Sequence, residues 1–393
     1  PNRIKKAGIA ISISCHLISR SDCAISTPTT IRAGAVTWEV TTDNNGAGEY
    51  GKDIVCAAAS ALAISAVNGI DALAGVAPKV EADNENGGYL LVTLPSRLTQ
   101  EQSNNPHTSI GGKGINAGRV IAQSGEAVLL TGILGGPVGK TILDSLLAEE
   151  RYVLDFLTID GNSRNAITIM HDGNTHTELV EKGLYLSEEN EQLFYQHLAA
   201  IIKQHPITVV CISGSVNSDN GHFHDQLLQF IRQSLGEQVP ILMDIAGEQL
   251  KNCLTQTNAR PNFIKPNQQE LEELMGQKLH SSQDIFSVLE STLFEGIDTV
   301  MVSQGGDGAI VKHQSTFFKI EIPKIAIVNT TGCGDSTVGG MAVALNKQYP
   351  MEQALIYSMA CGMSNALSKT NGTIDPAQVA AFSEQIHLFK IKE

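Results

Sequence analysis

From Ile110 onward, short apolar runs of β type alternate with amphipathic stretches, and this alternation restricts the possible folds more than any other feature of the chain. The runs fall at 127–130, 208–212, 241–244, 263–265 and 299–303, with helix-like stretches between them. Helices that cross over from one strand to the next join parallel strands, so the expected fold is α/β and layered, with a largely parallel central sheet. A chain of 393 residues, 42% of them apolar and 17% charged, has material for a large core and for two or three structural units.

Upstream of Ile110 the pattern differs. Residues 1–36 hold five Lys or Arg against one acid, Asp22, and keep no period of 2 or 3.6, so they form an unassigned leader. Residues 37–96 read as a small α+β unit. It has a strand at 37–41, a turn through Gly46 and Gly51, a helix over 53–73 and a closing strand at 88–94. The polar, aperiodic stretch 97–109 reads as a linker, which leaves 110–393 as the main domain.

A formal charge of −14 argues against nucleic acid or an anionic membrane as the main partner, since both need clustered Lys and Arg. The seven cysteines include no CxxC pair and are odd in number, which suits free thiols in a reducing cytosol. Residues 9–18 are largely apolar and follow Arg3, Lys5 and Lys6, as in a secretion signal, but Ser12, Ser14 and His16 dilute them. No run approaches the roughly 18 apolar residues of a membrane span. The expected location is the cytoplasm.

The sharpest local signal is Asn329-Thr330-Thr331-Gly332-Cys333-Gly334-Asp335-Ser336, which follows a strand-like 324–328 and leads into a helix of small residues at 337–345. Unpaired amides and the positive dipole end at a helix start suit charge on a phosphoryl group in transit, with Asp335 beside the reacting oxygen as a base. The same residues would also serve as an ordinary glycine-rich helix start with Asp335 as a cap. Upstream, Gly111-Gly112-Lys113-Gly114-Ile115-Asn116 combines close backbone approach with a cation and an amide, a cradle for an anionic ligand.

These motifs, with Lys265-Pro266-Asn267, Glu270 and Ser303-Gln304-Gly305-Gly306-Asp307-Gly308, occur in the order found in the ribokinase-like (PfkB) carbohydrate kinases. Ser163-Arg164-Asn165 and the stretch 171–178 look most like the tagatose-6-phosphate kinase and 1-phosphofructokinase branch. The resemblance implies a three-layer αβα sandwich and ATP-dependent phosphorylation of a ketohexose phosphate, tagatose 6-phosphate first. Fructose 1-phosphate or 6-phosphate is the second implied acceptor. The resemblance implies Asp335 as base, Gly332, Cys333 and Gly334 as anion hole, and Cys333 as a tolerated small residue and not a nucleophile. Gly112, Lys113, Asn116 and Arg164 are the implied sugar-phosphate residues, and the planar fork of Arg164 favours a substrate that already carries a phosphate. Ser303, Gly305 and Gly308 match the nucleotide loop, with Asn365 near where the family closes over adenine. Asn267 and Glu270 match the pair that organises Mg2+, although a polar turn opening a helix would read the same. The expected ligands are ATP, magnesium and a sugar phosphate, and a homodimer is an open expectation.

Members of that family normally begin with a strand and a small β-sheet lid that hold and cover the sugar, and neither is recognisable upstream of Gly111. In that place 46–56 and 87–92 resemble the ribosomal-processing cysteine protease family, Prp. The resemblance implies a His and Cys pair; Cys56 is present, but Asn44 stands where the His is expected, and an amide cannot take the thiol proton. The alternatives are therefore an impaired fusion that only binds nucleotide and, last, a protease. Gly135-Gly136-Pro137-Val138-Gly139-Lys140-Thr141 is not a P-loop, because Leu134 occupies its first glycine position. His222 and His224 read as exposed loop residues and not as metal ligands.

Overall fold

The computed structural model describes residues 109–392 apart from 172–174 and 256–258, together with strands at 7–12, 16–18, 37–41, 79–83 and 89–93. The strands in chain order are β1 (Ala7–Ser12), β2 (His16–Ile18), β3 (Thr37–Thr41), β4 (Lys79–Asp83), β5 (Tyr89–Thr93), β6 (Ser109–Gly111), β7 (Val128–Leu134), β8 (Val153–Thr158), β9 (Arg164–His171) and β10 (Thr175–Val180). They continue as β11 (Ile207–Ser213), β12 (Ile241–Asp244), β13 (Phe263–Ile264), β14 (Thr299–Ser303), β15 (Ala309–His313), β16 (Thr316–Glu321) and β17 (His387–Lys392). The helices are α1 (Lys113–Gln123), α2 (Gly136–Ala148), α3 (Glu188–Gln204), α4 (Phe223–Leu235), α5 (Gly247–Thr255), α6 (Gln268–Met275), α7 (Ser282–Leu289), α8 (Cys333–Asn346), α9 (Met351–Ala366) and α10 (Pro376–Ser383).

Two compact units result. The larger comprises 1–17, 109–165 and 181–393, and the smaller 18–108 and 166–180. A ten-stranded sheet, ordered β17-β16-β15-β14-β13-β12-β11-β1-β7-β8, organises the larger unit. Every pair from β8 to β14 is parallel, and the pairs from β14 to β17 are antiparallel. Side chains alternate faces along a strand, so β7 sends Leu129 and Ile133 into one core and Val128, Leu130 and Leu134 into the other. The first core packs under α3, α4, α5 and α7 and the second under α1, α2, α8 and α9, which makes the sheet the middle of three layers. The smaller unit holds an antiparallel sheet ordered β3-β5-β4 and the β9/β10 hairpin.

Four expectations need correction. The leader is not without a place, because β1 runs through the middle of the large sheet, Ile9 opposite Leu129 on one side and Val210 on the other. A first strand is therefore present; the run Ala-Gly-Ile-Ala-Ile-Ser is short and rich in small residues, and its ladder partners lie more than a hundred residues away. Residues 324–328 are not a strand: they join no strand of the large sheet, Val328 N donates instead to Ala366 O on α9 at 2.8 Å, and Ile327 and Val328 are exposed. His224 is buried on α4, its Nε2 3.0 Å from Gly214 O and its ring edge-on to Phe223, and burial lowers its pKa to about 4. Asn365, expected near adenine, is buried inside α9, as described below. The proposed helix at 53–73, Asn44, Cys56 and most of the linker lie outside the described residues.

Candidate active site

The site lies at the C-terminal ends of the parallel strands, where α/β sheets leave backbone and side chains available to a ligand. Its base is helix α8. This helix has small residues where neighbours press closest: a Cβ on Gly339 would come within 2.7 Å of Ala117 O on α1, and one on Gly340 within 2.9 Å of Cys361 Sγ on α9. The close approach sets the first turn of α8 beside the first turn of α1. Asn116 Nδ2 donates to Asp335 Oδ2 at 2.7 Å, which joins two of the motifs read from sequence across 219 residues.

Around that bond stand a second acid, Asp244, and two cations, Lys113 and Lys265. Lys113 Nζ lies 3.2 Å from Asp244 Oδ1, and Asp244, which ends β12, is buried. Lys265, directly after β13, is also buried, and a Cβ added to Gly334 would lie 2.9 Å from its Nζ. An ammonium thus backs the first turn of α8, whose amides have no partners within the helix. The Cys333 N–H reaches Thr330 O at 3.3 Å, so Gly332 and Gly334 are the better placed of the expected anion-hole residues. Gly332 takes φ 81, which a residue with a side chain adopts only under strain.

Burial is the largest cause that raises the pKa of Asp335, to about 6, and the negative charge of Asp244 adds to it; Lys113, the Asn116 hydrogen bond and Lys265 oppose. Burial would also raise Asp244, but the charges of Lys265 and Lys113 hold it below the usual carboxylate range. Burial works against the charge on Lys113, yet Asp244, Asp335 and Glu270 together push its pKa above the ordinary lysine value. A carboxylate with raised proton affinity beside a cation-backed helix start can accept a hydroxyl proton while an anionic group is held next to it.

Asn365 braces this loop. Wholly buried on α9, it donates from Nδ2 to Thr331 O at 2.9 Å, lies 3.4 Å from Cys333 Sγ, and accepts Thr373 N at 3.2 Å. Its polar atoms are engaged by Thr331 O, Cys333 Sγ and Thr373 N, so it ties α9 to the turn before α8 and to the loop that follows α9. Burial raises the pKa of the Cys333 thiol, which disfavours its thiolate.

Ser303, Gly305 and Gly308 lie together at the turn after β14. Gln304 N donates to Gly308 O at 2.8 Å, and Gly308 takes φ 90 where an added Cβ would meet Ile320 O at 1.9 Å. Ser303 N donates to Pro266 O at 3.1 Å, which sets this loop beside Asn267 and Glu270. Those two form a capping box on α6, Asn267 Oδ1 accepting Glu270 N and Glu270 Oε2 accepting Asn267 N, both at 2.8 Å. The polar-turn reading of this pair therefore describes its geometry. The second carboxylate oxygen of Glu270 fits a hard cation that takes most of its ligands from phosphates and water, with Asn267 holding Glu270 in place. Among the described residues no group of three or more His, Cys, Asp or Glu could hold a metal. Arg164 opens β9 with its stem against Gly183, and Ser163 Oγ accepts Gly135 N at 3.1 Å. The would-be P-loop is helix α2 with Pro137 in its first turn, and Lys140 pairs with Asp144 on its surface.

Asp244 escaped the sequence reading as a site residue, and Lys265 entered it only as part of a motif. Each had a signal, a charged side chain ending an apolar strand run at the edge where such sites form.

The fold and this cluster define an enzyme suited to moving an anionic group onto a hydroxyl. Residues 92–378 match the pfkB family carbohydrate kinases, and the chain belongs to that family, whose members transfer phosphate to a hydroxyl acceptor. Residues 37–109 match the family described as cysteine protease Prp. Among solved structures, a possible 1-phosphofructokinase from Thermotoga maritima aligns over 98% of this chain and all of its own, with TM-score 0.66 and 17% identity. A putative phosphofructokinase from Staphylococcus aureus aligns over 80% of this chain and 97% of its own, with TM-score 0.61 and 24% identity. Phosphofructokinase-2 from Escherichia coli, in complex with substrates and products, aligns over 71% and 89%, with TM-score 0.61 and 24% identity. No described helix is long and apolar enough to cross a membrane.

Proposed function

We propose that this chain transfers the terminal phosphate of ATP to a hydroxyl of a ketohexose phosphate, with Asp335 as the base. The observation that carries the reading is the Asn116–Asp335 bond beside a helix start backed by Lys265. A fructose phosphate is the first acceptor and tagatose 6-phosphate the second, because the similar solved structures are phosphofructokinases.

In this reading the acceptor hydroxyl gives its proton to Asp335 as its oxygen bonds to the γ-phosphorus of ATP, and the bond from that phosphorus to the bridging oxygen breaks to release ADP. The amides of Gly332 and Gly334, with Lys265, take the charge on the transferring group. Lys113, held against Asp244, and Arg164 bind the sugar phosphate; Gly112 lets the backbone come close. Asn116 orients the base. Magnesium, when bound with ATP, neutralises phosphate charge, and Glu270 with Asn267 behind it is where this chain would hold it. The loop Ser303–Gly308 receives the nucleotide, and a cavity of about 520 Å³ lined in part by Gln268, Gln304 and Asp307 lies beside it. That volume is in the range of small-molecule sites. Asn44 gives the Prp-like segment no base for a thiol-protease step.

The test is product identification by NMR after Mg-ATP is supplied with fructose 1-phosphate, fructose 6-phosphate or tagatose 6-phosphate. A bisphosphate formed fastest from a fructose phosphate supports the reading. Nucleotide binding with no bisphosphate from any of the three would leave the impaired-fusion alternative standing.

A further inference from the structure

Gln123 is the last residue of α1, about two turns beyond Asn116, and no motif includes it. Its Nε2 donates to Gly372 O at 2.7 Å and also to Arg119 O at 2.9 Å, while its Oε1 accepts Ile374 N at 3.1 Å. One side chain therefore grips both a carbonyl and an N–H of the loop between α9 and α10.

That loop touches both halves of the site. Asn371 Oδ1 accepts Asn329 Nδ2 at 2.8 Å, and a Cβ on Gly332 would lie 3.2 Å from Asn371 Cβ, so Asn371 lies against the anion-hole turn. Gly372 presses on the backbone of Asn116, where a Cβ would come within 2.7 Å of Asn116 Cα. Thr373 N donates to Asn365 Oδ1, the residue that braces Thr331 and Cys333. Helix α1 reaches Asp335 twice, directly through Asn116 and from behind through Gln123.

We propose that Gln123 is a positioning residue for phosphoryl transfer: by clamping Gly372 and Ile374 it fixes the surface against which the Gly332 turn and Asn116 are set. The assignment rests on the kinase reading above for its effect on rate, and on geometry alone for its effect on the loop. Small displacements of a transfer site cost rate without costing ground-state binding, which is the signature to look for.

Gln123→Met keeps the side-chain length and removes every hydrogen bond; Gln123→Glu keeps the acceptor for Ile374 N and loses the donor to Gly372 O. The expected result for Gln123→Met is a fall in kcat on the order of tenfold, with KM for ATP and sugar phosphate within about twofold, and Gln123→Glu intermediate. Amide hydrogen exchange at 331–335 and 371–374 should quicken on the order of tenfold in Gln123→Met, with the strands of the large sheet unchanged. An unchanged kcat per folded molecule, or exchange that quickens throughout the domain together with a lower Tm, would overturn the proposal. If the wild-type chain shows no sugar-dependent turnover, the kinase reading fails separately, and exchange at 331–335 still decides whether Gln123 holds the loop.

Discussion

Two glycine-bearing loops meet at the C-terminal edge of the large sheet, and they are built in opposite ways. The loop at 329–334 is fixed by buried amides: Asn365 on Thr331 and Cys333, Asn371 on Asn329, and Lys265 against Gly334. The loop at 303–308 is held at the surface, where Lys324 donates to Gly306 O and pairs with Asp307, side chains 78% and 81% exposed. An exposed ion pair adds little stability, so the second loop takes its shape from its own backbone, above all Gly308. The contrast suits the two tasks proposed for these loops. Developing charge is stabilised by dipoles and cations fixed before the reaction in a site shielded from water, whereas a nucleotide needs backbone it can approach.

If that division holds, damage to the first loop appears in kcat and damage to the second in KM for ATP. The largest effect should come from Asp335→Asn, a fall in kcat of about 10²–10⁴-fold with ATP still bound, measured by steady-state kinetics and calorimetry. The same variant has a pH signature. Because the fold raises the pKa of Asp335 from 3.8 to about 6, the stability tied to its protonated form is present at low pH and is lost as pH rises through that window. Above pH 6 the variant should therefore have the higher Tm, and below pH 3.8 the difference in Tm should disappear.

Gly308→Ala puts a Cβ into Ile320 O and strains a positive φ, so KM for ATP should rise roughly 5- to 100-fold with kcat much less affected. Asn365→Ala sharpens the comparison, since it lies under the first loop although the sequence pattern suggests the nucleotide. A fall in kcat of about tenfold with KM for ATP within about twofold is expected; a raised KM alone would return Asn365 to the nucleotide side. The smallest effect should be Cys333→Ala, within about twofold in every constant, with slow alkylation of the wild-type thiol at neutral pH.

How legible each part was follows from where its determinants lie. The layered α/β fold and the glycine-rich turn that opens α8 are readable because alternation, glycines and the acid are local, and the two motifs joined by the Asn116–Asp335 bond both stand out in sequence. Strand β1 was not, since its place is set by β7 and β11 and its own six residues carry little apolar bulk. Residues 324–328 mislead in the opposite direction, having strand composition while their backbone turns to α9, where Val328 N donates to Ala366 O, and joins no strand of the sheet. Asp244 and Gln123 act only through partners far along the chain, Lys113 and the 371–374 loop, and one-dimensional spacing does not record such pairs. Asn267 and Glu270 form a capping box, and a capping box and a cation-organising pair share one sequence.

The most direct test of the account is ADP release by the wild-type chain with Mg-ATP, with and without fructose 6-phosphate or fructose 1-phosphate, followed from pH 5 to 8. The account predicts release that depends on the sugar phosphate and falls away as pH drops through about 6, where Asp335 becomes protonated and can no longer act as a base. Release that is indifferent to sugar, or sugar-dependent release that persists undiminished down to pH 5, would contradict it.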